Sequence, residues 1–202
     1  TTVTDIKYVM RLNFEFSKLL LNLATNNECP FIYASSASVY GNGDRGFEEI
    51  RENENPLNFY SFSKFMFDQF VRQKLENTKH QIVGLRYFNV YGPGEIHKEK
   101  MASTAFQFYN QIKNNKIIQL FKGTEGYEDG EQLRDFIYVN DIISINLWFF
   151  ENQHISGIFN AGTGEERTFN SLAKAIIKKF NFGKIEYIDF PEHLKGKYQN
   201  FT

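Results

Sequence analysis

Apolar residues along this chain recur with two spacings. Between Lys7 and Asn26, Val9, Leu12, Phe16, Leu19, Leu20 and Leu23 return every three or four positions, which predicts an amphipathic helix. Phe59, Phe62, Phe65, Met66, Phe70 and Val71 do the same within Phe59–Asn77, and similar spacing predicts helices over Met101–Asn114 and Phe169–Phe180. Short apolar runs at Phe31–Ser35, Gln81–Tyr87, Ile117–Phe121, Gly157–Asn160 and Ile185–Ile188 predict strands. Phe136-Ile137-Tyr138-Val139 leads into Asp141, a residue suited to opening a helix that reaches Phe150. Alternation of this kind predicts an α/β fold with a mainly parallel sheet. The strand at Phe31, the helix at Phe59 and the strand at Gln81 make a βαβ unit, expected to be right-handed.

Candidate chemistry gathers around the first predicted strand. That strand ends in Ser35-Ser36, and the following helix carries Tyr60 and Lys64. Tyr-x-x-x-Lys is a weak pattern in a chain with 11 Tyr, and it occurs again at Tyr109/Lys113. Only the first has a serine-bearing strand end shortly before it. On a helix, residues i and i+4 share a face, so Tyr60 and Lys64 can address one space. A free phenol is a poor base at neutral pH. An ammonium about 4 Å away, at an effective dielectric near 20, favours the phenolate by roughly 4 kcal/mol. That is about three pKa units, enough to bring Tyr60 toward its working range. With Ser36 orienting the substrate oxygen, the trio suits removing an alcohol proton while hydride leaves the same carbon. No side chain accepts hydride, so a nicotinamide cofactor is implied.

Gly41-Asn-Gly43-Asp-Arg-Gly46 satisfies the G-x-G-x-x-G spacing, yet it does not fit a phosphate loop. The glycines should open a helix whose N-terminus holds a pyrophosphate. Here five carboxylates follow between Asp44 and Glu54, and Pro56 cuts the segment short. The stretch reads instead as a flexible loop at the mouth of the site.

Composition narrows the classes. The 202 residues are 42% hydrophobic and carry a net charge of -1, which gives no basis for binding nucleic acid or an anionic membrane. The 22 Phe read as core packing. One cysteine, Cys29, excludes a disulfide framework, and the four histidines, His80, His97, His154 and His193, lack metal-ligand spacing. No apolar run reaches the roughly 18 residues of a membrane span, and TTVTDIKYVM is no signal peptide, so a cytoplasmic location is expected.

Four blocks together carry a family resemblance: the strand with Ser36-Ala-Ser-Val-Tyr-Gly41, Tyr60-Ser-Phe-Ser-Lys64, Arg86-Tyr-Phe-Asn-Val-Tyr-Gly-Pro93, and Arg134-Asp-Phe-Ile-Tyr-Val-Asn-Asp141. With them the chain resembles the extended short-chain dehydrogenase/reductase family of nucleotide-sugar epimerases. PFIYASSASVYG, QIVGLRYFNVYGPGEIHKEKMAS, SGIFNAGTG and HLKGKYQNFT draw it nearest to the branch acting at C6 of nucleotide-linked heptoses. The resemblance covers nearly the whole chain. It implies part of a Rossmann-type doubly wound parallel sheet plus a small C-terminal substrate-binding α/β subdomain. Residues 1–93 would be the half of the Rossmann domain carrying Ser36, Tyr60 and Lys64. Residues 94–202 would mainly bind substrate, with 135–162 returning to the Rossmann sheet. The cofactor's phosphate fingerprint would lie upstream, so a fragment of a longer enzyme is expected, inactive alone.

The resemblance also assigns roles. Ser36, Tyr60, Lys64 and Lys98 would be catalytic, and Tyr60, Lys64, Val90 and Lys98 would meet NADP, or NAD. Asn89 sits just beyond a strand's carboxyl end, where parallel α/β sheets bind ligands, and is either a substrate contact or a turn-stabilising residue. Lys98 reads on its own as a solvated loop lysine, and the resemblance lifts it to a second acid/base. Epimerisation takes hydride from one face of a carbon and returns it to the other, so a base is needed for each orientation of the ketone. Phe121, Lys122, Gly123, Thr124 and Arg134 would surround the nucleotide diphosphate, because a guanidinium fork binds phosphate oxygens bidentately. The alternative for Arg134 is an ion pair with Asp135 or Asp141. Tyr198 would close over the substrate, and Asn160-Ala-Gly162-Thr-Gly164 would be a structural turn.

Three departures from the heptose branch leave the sugar open: Lys100 where a small Ser is usual, Gln107 where a His is usual, and a longer YEDGEQL before Arg134. The implied reaction is C6 epimerisation of a nucleotide-linked heptose for lipopolysaccharide core, by a homo-oligomer. One alternative is a UDP-hexose 4-epimerase. A 4,6-dehydratase would carry an Asp-Glu pair where Ala37 and Ser38 stand. A non-catalytic binding protein is the remaining alternative, and it has no use for an intact Ser36, Tyr60 and Lys64.

Overall fold

Capping side chains set where the main helices begin. Asn58 accepts from the Ser61 amide at 3.0 Å while the Ser61 hydroxyl accepts from the Asn58 amide at 3.1 Å, a reciprocal box that starts the Tyr60 helix. Ser103 and Thr168 cap two later helices, and Lys116 and Asn181 end them in left-handed backbone. The computed structural model describes residues 5–192, 198, 199, 201 and 202. The 193–197 part of HLKGKYQNFT, with His193, and Asn200 lie outside the described residues.

In chain order the elements begin with α1 (Ile6–Met10), which runs through a π-helical stretch at Arg11–Glu15 into α2 (Phe16–Asn26). They continue with β1 (Phe31–Ser36), α3 (Phe59–Leu75), β2 (Ile82–Tyr87), β3 (Asn89–Tyr91), α4 (Thr104–Asn115), β4 (Ile117–Phe121) and β5 (Leu133–Tyr138). Then come α5 (Val139–Glu151), β6 (Gly157–Ala161), β7 (Glu166–Thr168), α6 (Phe169–Phe180) and β8 (Lys184–Ile188). Short 3₁₀ turns cover Ala37–Tyr40, Arg51–Asn53 and Ile96–Met101. No described helix is long and apolar enough to cross a membrane.

The chain divides into two compact units, the first comprising residues up to Phe88 together with Asp141–Ala161, the second Asn89–Asn140 with Gly162–Thr202. This boundary differs from the expected one. Asn89–Tyr91 pairs with β5, so the first unit closes at Phe88 rather than Pro93. Residues 135–140 stay with the second unit for the same reason, and the chain re-enters the first at Asp141.

In the first unit β1, β2 and β6 form a parallel sheet in that order. Leu21, Phe67, Val71 and Ile82 make a core that joins α2 and α3 to the sheet. In the second unit β3 is parallel to β5, β5 antiparallel to β7, and β4 parallel to β8. Phe108, Ile112, Ile118, Leu120, Phe169 and Ala173 form its core.

The first unit also buries charge. Arg86, next to the carboxyl end of the mostly apolar β2, is fully buried. Its Nε and Nη2 donate to Asp68 Oδ2 at 3.0 and 2.9 Å, Nη1 to the Tyr40 hydroxyl at 2.8 Å, and Nη2 also to Glu54. Arg72 and Gln69 complete the shell around Glu54. Asp68 in turn accepts from the hydroxyls of Tyr33 at 2.8 Å and Ser35 at 2.9 Å. Tyr33 reaches it by lying over Gly84, its partner across the β1–β2 ladder, where a Cβ would stand 2.4 Å from the phenol oxygen.

Removing one member of a buried pair leaves an uncompensated charge, so Asp68→Ala should cost about 3–5 kcal/mol in urea unfolding. Burial alone would raise the Glu54 carboxyl, but Arg72 and Arg86 hold it below its ordinary 4.5. A lowered folded pKa stabilises above the unfolded value and is lost as pH falls through the folded one. The stability gap between wild type and Glu54→Gln should therefore be full at neutral pH and close below 4.5. A gap that persists unchanged to about pH 3 would show that Glu54 is not held ionised.

Candidate functional site

In the first unit the three side chains singled out by sequence come together along one helix face. Tyr60, Lys64 and Asp68 are spaced four apart on α3, and β1 runs beside them. Ser36, at the carboxyl end of β1, lies near enough to the half-buried Tyr60 phenol to act on its ionisation. Its oxygen also accepts from the Ser38 amide at 3.2 Å and lies 2.9 Å from the Ser38 hydroxyl. Lys64 Nζ donates to the Ala34 carbonyl at 2.9 Å, one turn further along, and Asp68 takes Ser35. The face is thus an alignment of helix and strand: Tyr60 at Ser36, Lys64 at Ala34, Asp68 at Ser35 and Tyr33.

The electrostatics depart from the sequence argument. Burial pushes the Tyr60 phenol above its ordinary value of 10.0, with Ser36 opposing only in part. Lys64 is lowered by burial, with Asp68 opposing. Lys64 does not draw Tyr60 down, because its ammonium is held by the Ala34 carbonyl and stands 6.0 Å from the centre of the Tyr60 ring. Desolvation therefore dominates both groups. Tyr109/Lys113 is different: Tyr109 is exposed and packs against Phe106 and Phe180.

The Gly41–Gly46 segment opens no helix. Asn160 binds Glu49 Oε1 through its amide at 2.8 Å and the Phe47 carbonyl through Nδ2 at 2.5 Å. Phe47 packs edge-on against Tyr40, and Arg45 donates to the Glu52 carbonyl at 3.1 Å.

In the second unit Phe121, Arg134 and Tyr198 come together. Arg134 is buried and pairs with none of that unit's described carboxylates. It donates to the carbonyls of Leu133, at 2.7 Å, and Gln199, and its guanidinium lies 5.1 Å from the Tyr198 ring centre and 5.3 Å from that of Phe169. Burial holds it below its ordinary range. The alternative reading, an ion pair with Asp135, is not formed. Asp135 instead accepts from Thr163, through amide and hydroxyl, and from the Gly164 amide, which fixes the 162–165 turn. Phe121 and Tyr198 meet at 6.4 Å, each also edge-on to Phe190.

The remaining residues are placed less directly. Lys122 forms an exposed ion pair with Asp189 at 2.8 Å. The Gly123 amide donates to Asp129, and a Cβ there would stand 2.0 Å from the Tyr127 carbonyl, so the loop closes only with glycine. The Thr124 carbonyl accepts from Tyr127. Asn89 spends its amide on the Asp135 carbonyl at 3.2 Å and Thr202 Oγ1 at 2.9 Å, which ties β3 to β5. Val90 is half-buried opposite Ile137. Lys98 is exposed, 3.6 Å from Glu95. Of the three departures, Gln107 donates to the Lys100 and Ala102 carbonyls, and the YEDGEQL segment is bound by Asn170 through Asp129 and Glu131.

Sequence reasoning missed Asp68 and Arg86. The signal was present: each is a lone charge in an otherwise apolar run, and Asp68 extends the Tyr60, Lys64 spacing by one more turn. Asp135 and Glu95 were missed because most of their partners are backbone amides and hydroxyls, which carry no charge signature.

A difference titration of wild type against Tyr60→Phe should reveal a phenol ionising above 10.0. A midpoint at or below that value would mean that Lys64 already acts on it.

Residues 1–162 match the model of the NAD dependent epimerase/dehydratase family. Over 202 residues the chain is 52% identical to the ADP-L-glycero-D-manno-heptose-6-epimerase of Alkalilimnicola ehrlichii, covering 100% of this chain and 63% of that protein. Its structure is similar to that of the Helicobacter pylori ADP-L-glycero-D-manno-heptose-6-epimerase, with TM-score 0.83 and 37% identity over 94% of this chain and 57% of that one. It is similar also to the UDP-N-acetylglucosamine 4-epimerase of Methanobrevibacter ruminantium, solved with UDP-N-acetylmuramic acid, with TM-score 0.79 and 26% identity over 94% and 58%. The chain spans less than two thirds of the length of these relatives.

Proposed function

This chain belongs to the NAD dependent epimerase/dehydratase family, and we propose that the protein inverts C6 of ADP-glycero-manno-heptose, supplying heptose for lipopolysaccharide core. The observation that carries the chemistry is the Tyr60 phenol beside the Ser36 hydroxyl, with Lys64 one helical turn away. The sugar rests on the 52% identity to a heptose 6-epimerase.

Tyr60 takes the C6 hydroxyl proton, and Ser36 orients that oxygen. The phenol is protonated at rest, so the form standing ready is the acid, the one that gives its proton to a keto oxygen. To act as a base it must be brought down, and Lys64 is the cation on its own helix face. Lys98 serves the other orientation of the ketone. Bound NADP, or NAD, supplies a reversible hydride acceptor for C6. A phenol, an ammonium and a hydroxyl at the carboxyl end of a parallel strand fit such a group. Tyr60, Lys64, Val90 and Lys98 would hold it. Arg134, Phe121, Lys122, Gly123 and Thr124 bind the diphosphate, Asn89 a substrate oxygen, and Tyr198 the nucleotide-sugar surface. A buried guanidinium faced by rings and carbonyls, not carboxylates, supports that part. The first unit carries Ser36, Tyr60 and Lys64, and the second mainly binds substrate, in a cytoplasmic homo-oligomer.

The test uses the full-length gene product with ADP-D-glycero-D-manno-heptose and, separately, UDP-galactose, followed by proton NMR. Inversion at C6 that falls by roughly 10²–10⁴ in Tyr60→Phe is the expected result. Turnover of the UDP-sugar alone would move the protein to the 4-epimerases. Arg134→Lys, which keeps charge but loses the fork, should raise KM about tenfold with a smaller effect on kcat.

A further inference from the structure

In the second unit the residues from Ile96 to Met101 are exposed, whereas Glu95, which leads into them, is 4% exposed. A carboxylate buried at the head of an exposed turn needs partners. Glu95 Oε1 accepts from the Gly92 amide at 3.2 Å and the Ser103 hydroxyl at 2.6 Å. Oε2 accepts from the Ser103 amide at 2.7 Å and lies 3.6 Å from Lys98 Nζ. The Glu95 carbonyl accepts from the Lys98 amide at 2.9 Å. Gly92 directly follows β3, and Ser103 is the N-cap of α4, whose hydroxyl accepts from the Phe106 amide while donating to Glu95. One carboxylate therefore closes the loop at both ends and touches Lys98 between them. Burial alone would raise the Glu95 carboxyl, yet Ser103, Gly92 and Lys98 hold it below its ordinary value. It is an ionised acceptor at neutral pH, the only form that satisfies all these donors.

We propose that Glu95 is a positioning residue: its carboxylate fixes the 92–103 loop so that Lys98 meets the substrate oxygen. This rests on Lys98 being the second acid/base. Glu95→Gln is nearly isosteric, but it turns one acceptor into a donor facing amide and hydroxyl donors. The loop should then lose its closure while the core of the unit stays packed.

The experiment uses the full-length gene product with nicotinamide cofactor and each heptose C6 epimer in turn. Single-turnover reduction of the cofactor is measured for wild type, Lys98→Met, Glu95→Gln and Glu95→Asp. If Lys98 serves one orientation only, Lys98→Met slows one epimer far more than the other. Glu95→Gln should slow that same epimer roughly 100-fold, the scale of a 1 Å misplacement, and leave the other within about threefold. Glu95→Asp, with the charge on a shorter arm, should fall between. Amide exchange at Gly92 and Ser103 should accelerate in Glu95→Gln, with exchange in the α4 interior unchanged. Equal slowing of both epimers by Lys98→Met would remove the two-base reading itself. A selective Lys98→Met beside a Glu95→Gln that slows both epimers alike, or neither, would overturn the role of Glu95 alone. Should Glu95→Gln fail to fold, Glu95→Asp carries the same comparison, and a non-selective effect there overturns the proposal.

Discussion

The first unit depends on one buried cation. Taking the Arg86 guanidinium out of water is costly unless it is paired and fully hydrogen-bonded. Asp68, Glu54 and Tyr40 meet that need, and Arg72 balances the second carboxylate. Burial alone would lower the pKa of Arg86; Asp68, Tyr40 and Glu54 more than offset it. Such a network is weak evidence for stability, because apolar residues of the same volume can do as well. Its contribution is register. Asp68 joins α3 to the end of β1 through Ser35, and Tyr40 joins the turn after Ser36 to β2. Tyr60 and Ser36 are met on those same two elements, so their geometry follows from where Arg86 settles.

The second unit treats its buried arginine differently. Among the described residues of its unit Arg134 pairs with no carboxylate; it meets carbonyls and the rings of Phe169 and Tyr198. Rings attract a cation through their faces without cancelling its charge. The acid next in sequence, Asp135, is committed to backbone amides of the 162–165 turn. Two arginines in one chain therefore play opposite parts. The positive charge of Arg86 is balanced by carboxylates, and that of Arg134 is met by carbonyls and rings.

What the sequence made legible follows the length of each signal. α6 lies at Phe169–Phe180 as its spacing predicts, since twelve periodic residues follow a capping Thr168. α4 starts at Thr104 rather than Met101, because Ser103 caps it and the preceding turn winds as 3₁₀. β3 and β7 were invisible: three residues carry no period. For Leu133–Tyr138 only the apolar Phe136–Val139 was legible, and its pairing with β3 is a long-range choice that alternation does not encode. At the site, Tyr60, Lys64 and Ser36 were legible from residue type and helical spacing. The direction of the Tyr60 shift was not, because it depends on how far burial outweighs the nearby ammonium.

That balance bears on how the site would work. Burial raises the phenol and lowers the ammonium, so both are displaced toward their neutral forms by one cause. The low polarity responsible also weakens screening, and a cation brought beside the phenol then acts more strongly than it would in water. A phenolate and an ammonium drawn together would relieve both displacements at once. Lys64 is one turn away, tied by a single carbonyl at Ala34. A small shift of that side chain toward Tyr60 therefore moves the phenol much further than the same shift would at a wet surface. A phenol protonated at rest and sensitive to one nearby charge is suited to an acid and base that must exchange roles within a turnover.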